Sequence, residues 1–481
     1  MTAPASSPRY GTAQAPSGLW AAKRFSEQVL AQNDEGHRLC LQGCFEAAEA
    51  CFRYAVEHQP DWSIAHNNLG WVSQARGHNE DAISSYKSAL RLEPGYVLAR
   101  ANLAYLLAHL YAHLGQYDAA QGMWQVLVEL YPQDPEVLDN LTSTALRAND
   151  LAAAGHWALR HAAVTRGSTW HSLPGDIPEV PMPAPKLSRG KLGHDLEQMR
   201  YLRDRQLIGP QLDAVIDGYE TALQRFNESD SLLQQQLLAS WPLSSTYGRV
   251  IHHLPAAHLD EGALNDSAAL RGAERDYQQS PLGIVVIDDF LTPQALLQLQ
   301  EFCLQSTVWH TNRYAHGRLG AFFREGFNCP LLLQVAEQIR QYFPEEIGTR
   351  HPLLQLWGFK YGHDQPATYP HADFAAVNVN FWITPDEANL DKNSGGLVIY
   401  DVEAPLDWDF ETYNRQGDRI DAFLRASDAQ PLVIPYRCNR AVIFNSDLFH
   451  ATAPLAFRPG YASARINITL LYGERERAGQ G

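Results

Sequence analysis

Three side chains in the C-terminal half of this 481-residue chain have the chemistry to hold a divalent metal: His371, Asp373 and His450. Two neutral imidazoles and a carboxylate can occupy one face of an ion and leave the other open, the donor set of non-haem iron(II) centres. A His-x-acid triplet alone says little. With 19 His and 54 Asp+Glu, about two arise by chance, and His78-x-Glu80 and His258-x-Asp260 are further examples. Neither of those has a downstream strand to deliver a third ligand, and both read as solvated surface. The surroundings set His371 apart. Tyr369-Pro-His-Ala-Asp373 leads into Val377-Asn-Val-Asn-Phe-Trp-Ile-Thr384, and Arg440-Ala-Val-Ile-Phe444 precedes His450.

The elements that must position these residues read as strands. Leu354–Tyr361, Val377–Thr384, Gly396–Tyr400, Leu432–Pro435, Arg440–Phe444 and Arg465–Tyr472 are short runs between turn residues, the pattern of a sandwich or jelly-roll barrel. Ile284–Leu291 opens the region as a strand, and Thr292-Pro293 caps the helix that follows. Alternation places Arg465, Asn467 and Thr469 on one strand face, and Asn378, Asn380, Trp382 and Thr384 on one face of another.

From Ile284 to Tyr472 these residues resemble the prolyl-4-hydroxylase-like branch of the Fe(II)/2-oxoglutarate-dependent dioxygenases. The likeness rests on the opening strand and helix, Lys360-Tyr361-Gly362, the His-Ala-Asp turn, Ser394-Gly-Gly396, Asn445-Ser-Asp-Leu-Phe-His450 and Arg465-Ile-Asn-Ile-Thr469. Each element is loose alone; their order and spacing are specific. The resemblance implies a double-stranded β-helix (jelly-roll) catalytic domain over residues 281–475. It implies His371, Asp373 and His450 as catalytic ligands to Fe(II), with 2-oxoglutarate and O2 as cosubstrates and ascorbate as an auxiliary reductant. Arg465 then grips the remote carboxylate of 2-oxoglutarate as a bidentate pair, with Tyr361, Asn380 and Thr469 in the same pocket. Arg458, in the Pro454–Gly460 loop, is a weaker candidate for that anchor. One position departs from the pattern. Relatives often place a tyrosine hydroxyl where Trp382 stands, and an indole offers one N–H and no acceptor, so the polar role passes to Asn380 or Thr469.

The N-terminal third repeats itself. Pro60 and Pro94 stand one 34-residue period apart. That register aligns Gly36, Gly70 and Ala104, then Ala48, Ala82, Ala120 and Ala154, then Phe52, Tyr86, Trp124 and Ala158. Small residues belong where paired helices approach, and large ones fill the groove between neighbours. Pro132 falls four residues late, placing an insertion around Leu110–His113. Residues 29–165 resemble the tetratricopeptide family with four repeats, whose concave groove docks a protein or peptide partner, or serves only assembly. The fold expected is thus multidomain: an all-α tetratricopeptide superhelix, then a jelly-roll catalytic domain with flanking helices.

Other stretches connect or exclude. Residues 1–28 read as a flexible terminus, 166–190 as a Pro-rich linker and 191–280 as a helical connector. His194 and Asp195 read as polar residues at a helix start, since adjacent helical side chains point apart. A net charge of −16 argues against a nucleic-acid footprint. The six cysteines fit neither a disulfide framework nor a metal pattern. No secretion signal or membrane-length apolar run appears, which favours the cytoplasm. An acidic insertion over 401–431 carries Trp408, Phe410 and Tyr413; it reads as a lid over the substrate or as an excursion packed on the connector. The leading expectation is a 2-oxoglutarate-dependent hydroxylase of a protein or carrier-bound substrate docked by the repeats, releasing succinate and CO2. An interaction scaffold with a vestigial metal pocket and an oxygenase of a metabolite or sugar are the alternatives. Completeness of the triad together with Arg465 favours an enzyme.

Overall fold

A computed structural model describes residues 8–14, 25–167, 186–312 and 317–475. The chain forms two compact units, Met1–Ala148 and Asn149–Gly481. Most of the Pro-rich linker, and His316, lie outside the described residues.

In the first unit α1 (Glu27–Leu41), α2 (Phe45–His58), α3 (Ser63–Ala75), α4 (Asn79–Leu92), α5 (Val97–His113), α6 (Tyr117–Leu130) and α7 (Pro135–Arg147) each pack on the next. The aligned residues are the packing contacts. Ala48, Phe52, Ala82, Tyr86 and Ala120 have no exposed surface. A Cβ on Gly36 would lie 2.7 Å from the Phe52 ring, and one on Gly70 would lie 2.7 Å from that of Tyr86. The late Pro132 is explained by α5, which has 17 residues where α3 has 13. Gly122, in α6, faces open space. Gly70→Ala should therefore lower the urea midpoint, because overpacking costs roughly 1–3 kcal/mol against about 1 kcal/mol of helix propensity gained. Gly122→Ala should raise it by that propensity alone. Residues 8–14, read from sequence as part of a flexible terminus, are seated on these helices by specific hydrogen bonds, considered further below.

The second unit begins with α8 (Leu151–Arg166). It packs on residues Phe323–Glu325 and on α15 (Pro330–Tyr342). Asn328 donates to the Gly155 carbonyl at 2.9 Å, and a Cβ on Gly155 would meet Leu333 at 2.7 Å. Next come α9 (Arg189–Asp204), α10 (Asp213–Arg225), α11 (Ser231–Ala239), the single turn α12 (Leu243–Thr246) and α13 (Ala268–Gln279). Leu192, Leu196 and Met199 of α9, Val215 and Tyr219 of α10, Leu237 of α11 and Leu243 of α12 share one core.

His194 and Asp195 are more than polar residues at a helix start. Both are largely buried, and the Asp195 carboxylate pairs with Lys191 and lies 3.1 Å from His194 Nδ1. Burial chiefly, with Lys360 nearby, pulls the His194 pKa down to about 4, while Asp195 pulls it up. Burial, with Arg166, Lys191 and His194 near it, holds His310 well below its usual value. Unfolded histidine titrates near ~6.5, so below that pH the unfolded chain takes up protons that the folded one refuses. Stability should be fully present above that pH and fall as pH drops towards 4. Urea midpoints measured at pH steps check this, and His310→Phe should flatten the slope.

The remainder is antiparallel sheet. The strands are β1 (Ile284–Ile287), β2 (Leu319–Phe322), β3 (Leu353–Lys360), β4 (Asp364–Gln365), β5 (Val377–Trp382), β6 (Leu397–Glu403), β7 (Pro431–Ile434), β8 (Ala441–Asn445), β9 (Leu448–Thr452), β10 (Leu455–Ala456) and β11 (Ile466–Tyr472). One sheet runs β1-β8-β5-β11-β3-β2, a second runs β7-β6-β9, and β10 pairs with β4. Tyr361, Trp382, Val442 and Phe444 from the large sheet pack with Leu397, Ile399, Ile434 and Leu448 from the small one. On the opposite face Phe381 meets Phe290 before α14 (Pro293–Gln305), and the Tyr472 hydroxyl donates to the Ala336 carbonyl on α15 at 2.8 Å.

Candidate metal centre

His450 lies in the middle of β9, and His371 sits in the loop between β4 and β5. Their main chains bridge: His371 N–H donates to the His450 carbonyl at 3.0 Å, and His450 N–H to that of His371 at 2.8 Å. Asp373 follows two residues on, its N–H directed at the Ser446 carbonyl at 3.4 Å. The three side chains can each point one donor atom into a common space, with all three atoms within 4.8 Å of one another. Among the described residues no other group of His, Cys, Asp or Glu does so.

The far sides of the rings are tied down. His371 Nδ1 lies 3.2 Å from the Tyr369 carbonyl and His450 Nδ1 3.0 Å from that of Leu448. Such contacts fix the tautomer, placing the proton on Nδ1 and the free lone pair on Nε2. Burial first, and His450 second, pull the His371 pKa down to about 4, so the ring is neutral at pH 7 and able to ligate. Burial alone would raise the Asp373 pKa; His450, His371 and the Asn378 amide outweigh it and hold the carboxyl below its ordinary range. Asn378 donates to Asp373 Oδ2 at 2.8 Å, and His450 Nε2 lies 3.5 Å from the same oxygen. Two imidazoles with Nε2 turned inward and one ionised carboxylate oxygen are donor types that fit Fe(II).

A cavity of about 1090 Å³ opens on His371 and Asp373. Trp357 and Phe359 form part of its wall, and so do Phe410 and Asn414–Arg419 of the 401–431 insertion. That insertion folds as α16 (Phe410–Arg415) and α17 (Gly417–Ala426). Its aromatics divide: Phe410 faces the cavity, whereas Tyr413 and Trp408 pack with Ala372, Ile420 and Phe449. Asn414 donates to the Ala372 carbonyl at 2.8 Å, so the insertion braces the loop between His371 and Asp373.

The other expected site residues share one face of the large sheet but do not line this cavity. Asn467 pairs with Trp382 and Thr469 with Asn380. Asn380 Oδ1 accepts from Thr469 at 2.8 Å and from Asn467 at 2.9 Å, and its amide contacts Asn378, completing a chain to Asp373. Both Asn380 and Thr469 are thus engaged with protein groups rather than facing open space. Tyr361 Oη is 3.1 Å from Thr452 Oγ1. Burial would raise its pKa, but Arg318 and Arg465 outweigh that and leave it lowered.

Arg465 is fully buried among Tyr361, Trp382 and Tyr436. Its Nε donates to the Gly395 carbonyl at 2.6 Å, so one edge of the fork is already spent. Nη1 has no acceptor among the described residues, and neither has the Trp382 indole N–H. Two buried donors left open cost free energy that an anionic ligand would recover. Arg458 is exposed. Two features were missed from sequence. One is β9 itself, separated from β8 by a two-residue turn. The other is Arg318, just before β2, which lines the cavity and lies 5.6 Å over the Tyr361 ring. Only strand pairing brings Arg318 there, so no local signal could have found it.

Among the described residues no helix is long and apolar enough to cross a membrane, and all six cysteines are free. A tetratricopeptide-repeat family model matches residues 73–143. No curated protein matches the chain. Among solved structures, the first tetratricopeptide domain of Spaghetti (RPAP3) bound to an HSP90 peptide is 19% identical, with TM-score 0.23, covering 27% of this chain and 96% of that one. A Pseudomonas putida prolyl-4-hydroxylase is 12% identical, with TM-score 0.28, covering 46% of this chain and 100% of that one. The helical region of this protein therefore carries tetratricopeptide repeats, followed by a region rich in antiparallel sheet.

Proposed function

We propose that the second unit is an Fe(II)- and 2-oxoglutarate-dependent oxygenase with a double-stranded β-helix core. It hydroxylates a protein or carrier-bound substrate docked by the repeats and releases succinate and CO2. The observation that carries this reading is the triad: two ring nitrogens and a carboxylate oxygen within 4.8 Å, at the edge of a cavity. A vestigial pocket would have no reason to keep both Nδ1 atoms locked and Asp373 ionised.

His371, Asp373 and His450 would hold the iron, which when bound supplies activation of O2 coupled to oxidative decarboxylation of the 2-oxo acid. The protein's own residues do the rest. Asn378 keeps Asp373 oriented and ionised. Arg465 presents Nη1, and Trp382 a single indole N–H, to the remote carboxylate of 2-oxoglutarate, with Tyr361 beside the guanidinium. Asn380 and Thr469 hold the polar chain behind the metal ligands rather than contacting the cosubstrate first. Phe410 and Asn414–Arg419 shape the mouth through which substrate enters and limit the access of water. Anaerobic addition of Fe(II) and then 2-oxoglutarate tests the reading through the metal-to-ligand charge-transfer band, with ascorbate present to keep the iron reduced. Absence of the band at saturating Fe(II) would leave a repeat scaffold as the better account.

A further inference from the structure

The groove formed by the repeats already holds a peptide, and the peptide is the protein's own. Residues 9–13 lie across α1, α3 and the start of α7, and touch α5 between them. Asn68 on α3 clasps the backbone of Ala13, accepting from its N–H at 2.8 Å and donating to its carbonyl at 2.7 Å. Asn33 on α1 donates to the same carbonyl at 3.3 Å. Thr12 contacts His37. Tyr10 stacks on Tyr131 with ring centres 4.7 Å apart, and meets Tyr105 of α5 edge-on at 5.9 Å. Arg9 forks onto Asp134, with Nη2 to Oδ1 at 2.6 Å and Nε to Oδ2 at 3.2 Å, and also pairs with Glu136.

The receiving surface is built for an extended chain. Asn33, Asn67, Asn68 and Asn102 are buried, at 1% exposure or less, and linked amide to amide across the alternate helices α1, α3 and α5. Asn102 Oδ1 at the end of that ladder has no donor among the described residues. Side-chain amides that bind a main chain are indifferent to sequence. Selectivity falls to the ends: a cation at Asp134 and Glu136, then an aromatic ring between Tyr105 and Tyr131.

We infer that Pro8–Gln14 is a built-in occupant that closes the repeat groove, and that the external ligand is an extended peptide carrying an arginine followed by an aromatic residue. This rests on the first unit alone and stands apart from the oxygenase reading. A tethered segment competes at an effective concentration on the order of millimolar. A partner peptide must displace it, so its apparent affinity is reduced by the fraction of closed groove. The occupant is a threshold that ignores weak peptides and yields to strong ones.

The test uses the full chain and a fluorescein-labelled peptide of residues 8–14. Arg9→Glu with Tyr10→Ala changes only the occupant, so the groove itself is untouched. The double variant should bind the probe about 10-fold or more tighter than the natural chain, as expected for an occupant of roughly 0.1 mM intrinsic affinity at that effective concentration. Adding Asp134→Asn, which keeps the helix cap and removes the charge, should weaken the probe again by about 10-fold. Both chains should be monomers by light scattering. Equal affinity in the two chains, or no saturable binding by the double variant, would overturn the inference. So would a dimer that the double variant dissolves, because the occupant would then belong to a second copy.

Discussion

Asp373→Ala should abolish the stabilisation that Fe(II), or redox-silent Mn(II), gives to the natural protein. The Asp373 carboxylate, held by the Asn378 amide and close to His450 Nε2, supplies the charge that would draw a cation into the space between the two rings. A metal at one hundred times its Kd adds about 2.7 kcal/mol, a rise of roughly 4 °C in Tm for a unit this size. Removing a first ligand should weaken metal binding by well over the ~100-fold typical of a supporting residue, so the rise disappears. Succinate release should vanish with it. His371→Ala should behave alike. If either variant keeps the full metal-induced rise, the ion lies elsewhere and the assignment is wrong.

Arg465→Ala should weaken 2-oxoglutarate about 100-fold and leave the Fe(II)-induced rise in Tm largely intact. The charge-assisted hydrogen bond left to Nη1, at roughly 1.5–3 kcal/mol, accounts for that factor. The variant will also lose stability, because a fully buried guanidinium packed among Tyr361, Trp382 and Tyr436 leaves a hole. Isothermal titration with 2-oxoglutarate, run beside metal titration on the same sample, separates the two effects. Arg465→Lys keeps the charge and fills most of the space, yet has no fork; it should recover stability more than affinity. Equal loss of metal and cosubstrate would instead assign Arg465 to the fold.

What could be read from the chain follows the distance over which each signal acts. The repeats were legible because the same close pairs recur every period: Gly36 under Phe52, Gly70 under Tyr86. The three donor side chains that the structure brings within 4.8 Å were legible by chemical type, and Asp373 by its place two residues after His371. The strand bearing His450 was not, because a two-residue turn hides where β8 ends and β9 begins and sends the chain to the other sheet. Nor was the behaviour of the 401–431 insertion, whose Trp408 and Tyr413 turn inward on Phe449 and Ala372 while Phe410 faces the cavity. The seat of residues 9–13 was illegible for the same reason as Arg318. Arg9 meets a partner 125 positions away and Ala13 one 55 away, and no local pattern announces either.

The reciprocal bridge between the main chains of His371 and His450 bears on the order of events in the cell. In small zinc domains the ion itself drives the polypeptide to fold. Here the two imidazoles are registered by paired peptide groups, so on the oxygenase reading proposed above the polypeptide should fold before it meets iron. On that reading a chain made during iron scarcity would persist as an intact but idle reserve and become competent once ferrous ion returned, with no new synthesis required.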